Sequence, residues 1–197
     1  MALTFDMSQL KTLEAEVKRE YNLEQALSLL RLYQASPEQA DPTIIIQLLL
    51  RTFTQLPGSD THLCLHLLPD RIAAQAPLPV IQTMAAALGA GEFTKFWGLA
   101  ATLKEQVDAT PGFEEAVRAH VLASVALAHQ KVTLEALGPL LNLEGPALTA
   151  YAQKKGLAVE GNLVALAPTE FNGGLEQVQR SKALPFDTLI RATTHVA

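Results

Sequence analysis

The chain has 197 residues, 49% of them hydrophobic and 18% charged, with a formal net charge of −5 and one cysteine, Cys64. That composition excludes a disordered chain and a disulfide scaffold. It holds no apolar run near the roughly 18–20 residues of a membrane span; the closest, Thr43 to Leu50, is broken by Gln47. Its N-terminal residues lack a basic stretch before an apolar core, and it contains no Asn-x-Ser/Thr sequon. The expectation is an intracellular protein in a reducing compartment.

Charge is uneven along the chain. Residues 1–128 carry 9 Lys and Arg against 14 Asp and Glu, and residues 129–197 carry 6 against 6. A free nucleic-acid binder shows a basic excess that neutralises phosphates. Neither half has one.

The first predicted helix with a clear start follows Asn22, an N-cap, with Gln25 three residues on as in a capping box. Leu23, Ala26, Leu27, Leu30 and Tyr33 line one face. Asp41-Pro42 is a cap followed by a first-turn proline. In the run Ile44 to Leu50, β propensity competes with helix. Gln47, Arg51 and Gln55, spaced by four, favour a helix with one polar stripe. Ser59-Asp60 starts another helix, which Pro69 ends or kinks. Ile81, Met84, Ala85 and Leu88 show helical spacing, as do Phe93, Phe96, Trp97, Ala100 and Leu103. Pro111 opens a long helix whose stretch Ala119 to Ala128 is apolar nearly all round, which predicts a central buried helix. Helix pairs recur about every 30–40 residues, the spacing of helical repeats. No sequence motif repeats, so a solenoid and an irregular bundle both remain open.

From Lys131 to Pro168 the texture changes. Val132 lies in a short β-type run, and Thr133 caps a helix over Leu134–Leu141. Asn142 to Gly145 is turn chemistry. Pro146 stands at the start of a second helix, and Gly156 lies just past its end after Lys154 and Lys155. Gly161-Asn162 is a two-residue hairpin loop between Leu157–Glu160 and Leu163–Leu166. Leu157, Val159, Val164 and Leu166 share one face of that hairpin. Strand, helix, turn, helix and hairpin in this order are a winged helix. The predicted fold is mainly α: a helical-hairpin array over 1–128, a winged helix with a small antiparallel sheet over 129–170, and a tail over 171–197 with short amphipathic helices.

Chemistry is sparse. His62, Cys64 and His66 form one cluster of metal-ligand types, but Cys64 points away from the two histidines and no further ligand stands nearby. Gly89-Ala90-Gly91 lacks the rest of a phosphate loop, and no Gly-x-Ser-x-Gly is present. No catalytic, cofactor or metal residue is expected. Lys154 and Lys155, with Arg180 and Lys182, are candidate RNA-facing residues. Helix-end capping and a solvated tail explain them more simply. Leu157, Val159, Val164 and Leu166 on the wing, and Phe186, Leu189 and Ile190 in the tail, are candidate partner-binding residues.

Tyr21-Asn22-Leu23-Glu24 through Leu30-Arg31-Leu32-Tyr33-Gln34 with Pro37 resembles the family of subunit k of eukaryotic translation initiation factor 3. Further matches are Leu56-Pro57 with Asp60 and Leu63-Cys64, Phe93 with Phe96-Trp97, Gly112-Phe113-Glu114-Glu115 with Val117-Arg118, and Lys154-Lys155-Gly156. The resemblance covers nearly the whole chain. It implies a HEAT-like helical domain joined to a winged helix, as in PCI scaffold subunits. It also implies a non-catalytic, cytoplasmic role in translation initiation, supporting recruitment of the small ribosomal subunit and mRNA. Expected partners are other subunits of that factor, especially subunit l. Leu157 departs from the aromatic residue the family often has there. Alternatives are a scaffold subunit of the proteasome lid or the COP9 signalosome, and a free winged-helix nucleic-acid binder.

Overall fold

In the computed structural model, which describes residues 7–169 and 171–172, the chain folds into a helical array followed by a winged helix. The array comprises α1 (Met7–Arg19), α2 (Leu23–Ala35), α3 (Pro42–Thr52), α4 (Asp60–His66), α5 (Asp70–Ala73), α6 (Leu78–Gly89), α7 (Phe93–Thr102), α8 (Lys104–Asp108) and α9 (Phe113–Ala128). The winged helix comprises β1 (Lys131–Thr133), α10 (Leu134–Leu141), α11 (Gly145–Lys154), β2 (Ala158–Glu160) and β3 (Leu163–Ala165).

Short polar side chains start α2, α3 and α10 by satisfying their first free N–H groups. Asn22 Oδ1 accepts from the Glu24 and Gln25 amides at 2.9 and 3.3 Å. Asp41 Oδ1 accepts from the Thr43 amide at 2.8 Å. The reciprocal half of the capping box is not made. Gln25 instead donates through Nε2 to Glu16 Oε2 at 2.9 Å, tying α2 to α1.

The isoleucine- and leucine-rich run is helical, and α3 packs on α1, α4, α6 and α8. Ile44, Ile45, Ile46, Leu48, Leu49 and Leu50 are buried, while Gln47 is exposed. Arg51, from the predicted polar stripe, donates to the carbonyls of Val17 and Lys18. Those carbonyls end α1 and lack helical partners, so the stripe caps a neighbouring helix.

The centre of the array is aromatic. Phe53 meets Phe96 and Phe113 edge-on at 5.8 Å each, and Phe96 stacks on Phe113 at 6.2 Å. This geometry suits the ring quadrupoles, and it joins the 3-10 turn after α3 to α7 and α9. The long helix differs from expectation in two ways. It starts at Phe113 rather than Pro111, because Gly112 takes the left-handed φ of 80° at its N-cap, which glycine adopts without a Cβ clash. It is also not buried all round. Val117, Val121, Leu122 and Val125 face inward, whereas Ala123 and Leu127 are exposed. A helix packed on one side needs only one apolar stripe, and alanine tolerates the other side well. The central position belongs to α3.

In the winged helix the strand order is β1-β3-β2, antiparallel throughout. Val164 in the middle strand pairs with Val132 on one side and Val159 on the other. Thr133 Oγ1 accepts from the Ala136 amide at 3.2 Å and starts α10. Gly161, at φ 62°, makes the hairpin turn. One hydrophobic core runs through both parts: Leu137, Leu141, Leu148, Val164 and Leu166 belong to the same buried cluster as Phe96 and Val121. The change of texture after Ala128 is therefore not a break in the core.

Candidate interaction surfaces

The apolar face of the wing exists, and the chain itself uses most of it. Val164 and Leu166 are 0% and 6% exposed. Leu157 and Val159 are half-buried against the same core. A three-stranded sheet this small is stable only when one face is covered, and α10 and α11 supply the cover. Val164 and Leu166 thus present no surface to a partner. Leu163, on the opposite face, is 40% exposed.

Lys154 and Lys155, at the end of α11, both turn toward Glu115 in the first turn of α9. Lys155 Nζ lies 2.8 Å from Glu115 Oε1, and Lys154 Nζ 3.6 Å from it. The hydrogen bond to Lys155 holds the Glu115 carboxyl below its ordinary value, and the same bond raises the Lys155 ammonium. Lys155 also sits 5.5 Å from the centroid of the Tyr151 ring. The basic pair is therefore partly neutralised within the chain. Arg180, Lys182, Phe186, Leu189 and Ile190 lie outside the described residues.

The metal-type cluster divides across α4. Cys64 is fully buried, and burial pushes its thiol up to about 12. His62 and His66 are exposed on the other side. No group of three or more His, Cys, Asp or Glu side chains among the described residues is placed to hold a metal ion. No helix among them is long and apolar enough to cross a membrane.

Three features escaped the reading of the sequence. First, Trp97 and Arg118 clamp the winged helix to the array. Trp97 Nε1 donates to the Leu140 carbonyl at 2.8 Å, and Arg118 Nε donates to the Leu141 carbonyl at 3.0 Å. Second, the segment after β3 is fastened to the end of α9 by Asn172. Its side-chain nitrogen donates to the carbonyls of Ala126, His129 and Ala167 at 2.6, 3.1 and 3.1 Å. Beside this anchor, Phe171 is 73% exposed, and on α9 Leu127 is 49% exposed. Third, an open groove of about 680 Å³ lies along α10, α11 and the turn between them. Only Asn172 had a sequence signal, as a turn-forming residue before Gly173-Gly174; the other two depend on which helices meet.

The family described as CSN8/PSMD8/EIF3K matches residues 39–170, which span the array from just before α3 and the whole winged helix. The chain belongs to this family. Within it, the chain is similar to proteins named eukaryotic translation initiation factor 3 subunit K. The Anopheles gambiae protein is 29% identical over 191 residues, covering 94% of this chain and 86% of the relative. The Xenopus tropicalis protein is 28% identical over 158 residues, covering 77% and 72%. The Danio rerio protein is 28% identical over 142 residues, covering 70% and 65%. The matched residues include the Trp97–Arg118 clamp that holds the array and the winged helix together.

Proposed function

We propose that this chain is subunit k of eukaryotic translation initiation factor 3, a non-catalytic structural subunit that works in the cytoplasm through protein–protein contacts. The observation that carries the reading is the family match over residues 39–170 together with relatives that bear the subunit K name. In this reading the chain binds other subunits of the factor, subunit l foremost, and through the assembly supports recruitment of the small ribosomal subunit and mRNA. The described chemistry supports a scaffold. The single cysteine, Cys64, is buried with its thiol pushed well above neutrality, and a thiol in that state is inert.

The winged helix favours protein over nucleic acid. From Leu134 to Lys154, the helix–turn–helix unit carries Glu135, Glu144 and one cation, Lys154, which with the adjoining Lys155 turns toward Glu115. A nucleic-acid reader places an excess of free cations on this unit. Native co-purification tests the proposal. The chain is expected in initiation-factor and small-ribosomal-subunit fractions under mild salt. Absence from both, or recovery with the proteasome lid or COP9 signalosome instead, overturns it. A nucleic-acid role would show as an affinity that falls steeply with salt.

A further inference from the structure

The α10–α11 groove combines three properties. It is large, about 680 Å³, within the range of well-formed ligand clefts. Its lining is mainly apolar, from Leu134, Pro139, Leu143 and Leu148. Among the described residues its only charged lining residues are Glu135 and Glu144, both exposed. Neither forms an ion pair with a described residue. Gly138 lets the turn close tightly along the groove: a Cβ there would stand 3.0 Å from the Leu143 carbonyl oxygen and 3.6 Å from Leu148 Cδ2.

Two carboxylates beside an apolar trough repel phosphates and acidic peptides. They attract a side chain that is positive at its tip and apolar along its stem, as Lys and Arg are. We propose that this groove docks a peptide segment of a partner protein that combines apolar side chains with lysine or arginine. Glu135 and Glu144 receive the cations, and the leucine-lined trough receives the apolar side chains. The inference deepens the protein-contact reading above and rests on it.

The test uses the full chain, isotope-labelled for amide NMR, and three probes. The first is a short acetylated and amidated peptide of leucine, alanine and two lysines. The second has glutamates in place of the lysines, and the third is a short oligouridylate. The lysine peptide is expected to shift the amides of Gly138, Asn142, Leu143 and Thr149 saturably. The glutamate peptide should bind about fivefold to tenfold more weakly, the size of effect two partly exposed ion pairs allow. In the Glu135→Lys, Glu144→Lys variant the preference should reverse. The milder Glu135→Gln, Glu144→Gln variant should bring the two peptides to parity, and it avoids a cation at the first turn of α10. Equal response to both peptides, shifts away from the groove, no saturable shift, or groove shifts produced by the oligouridylate would each overturn the proposal. Because the titration uses the chain alone, a silent groove and absence from the initiation-factor complex are separate results.

Discussion

The Arg118 guanidinium lies 5.5 Å from the centroid of the Trp97 ring, and the two side chains donate to consecutive carbonyls, Leu141 and Leu140. Those carbonyls belong to the last turn of α10, where helix geometry leaves acceptors without partners. Glu114 Oε2 pairs with Arg118 Nη2 at 3.0 Å. One cation thus lies over an indole, pairs with a carboxylate and caps a helix. The array and the winged helix share this cap as well as their core.

Removing either half of the clamp should loosen the junction. Trp97→Leu removes both the ring face and the N–H, and should cost about 2–4 kcal/mol of stability. Arg118→Met keeps much of the apolar stem and should cost about 1–2 kcal/mol. The double variant should cost less than the sum of the two by about 0.5–1 kcal/mol, the worth of the cation–ring contact. Urea unfolding followed by circular dichroism measures all three. Strict additivity would show that the two side chains act independently.

Cys64 should be silent toward thiol reagents in the folded chain. It is 0% exposed and its thiol is pushed up to about 12, so thiolate is scarce at pH 8. A colourimetric thiol assay should read close to zero at that pH and one equivalent in denaturant. Rapid labelling of native protein would mean that α4 opens readily.

The Glu115–Lys155 pair should stabilise the fold at neutral pH and lose its effect in acid. The carboxyl is held below its ordinary value of 4.5. Its contribution is therefore complete above that value and fades as pH falls through the lower folded value. The Lys155 ammonium is raised, so its share is complete below the ordinary lysine range and lost only at more alkaline pH. Both side chains are partly exposed, at 44% and 30%, so the pair contributes about 0.2–1 kcal/mol. Glu115→Gln should be less stable than the parent by that amount at pH 7, with the difference closing as pH falls through the lowered carboxyl value. A gap that widens in acid would reverse the assignment.

The tail should matter for assembly more than for folding. Phe186→Asp and Ile190→Asp should weaken capture of the chain by the initiation-factor complex about tenfold, as expected for apolar anchors in a partner's groove. The thermal midpoint of the chain alone should move little. Parallel losses of stability and assembly would instead make these residues ordinary core.

Local signals were legible wherever a residue acts on its own backbone. Asn22, Asp41 and Thr133 cap the helices they were expected to cap, and Gly161 makes the hairpin turn. The helix over Leu134–Leu141 has its expected bounds. The stripe Gln47, Arg51, Gln55 correctly chose helix over strand for the isoleucine run, although it could not show that Arg51 reaches α1. The reading of α9 as a central helix failed for a related reason. Hydrophobicity measures what a helix tolerates, whereas burial depends on how many neighbours it receives.

The sequence by itself determined the type and order of α2, α3, α4, α6, α7, α9 and the winged-helix elements, and the family, but not the helices α1, α5 and α8. These rest on caps, turns and hydrophobic period, which act within a few residues, and on an ordered set of matches along the chain. Tertiary structure decided which surfaces remain. It spent Val164 and Leu166 on the core, turned Lys154 and Lys155 toward Glu115, and left the Glu135–Glu144 groove and the Phe171 side chain open. Exposure is a property of pairs of elements distant in sequence, and no local pattern encodes it.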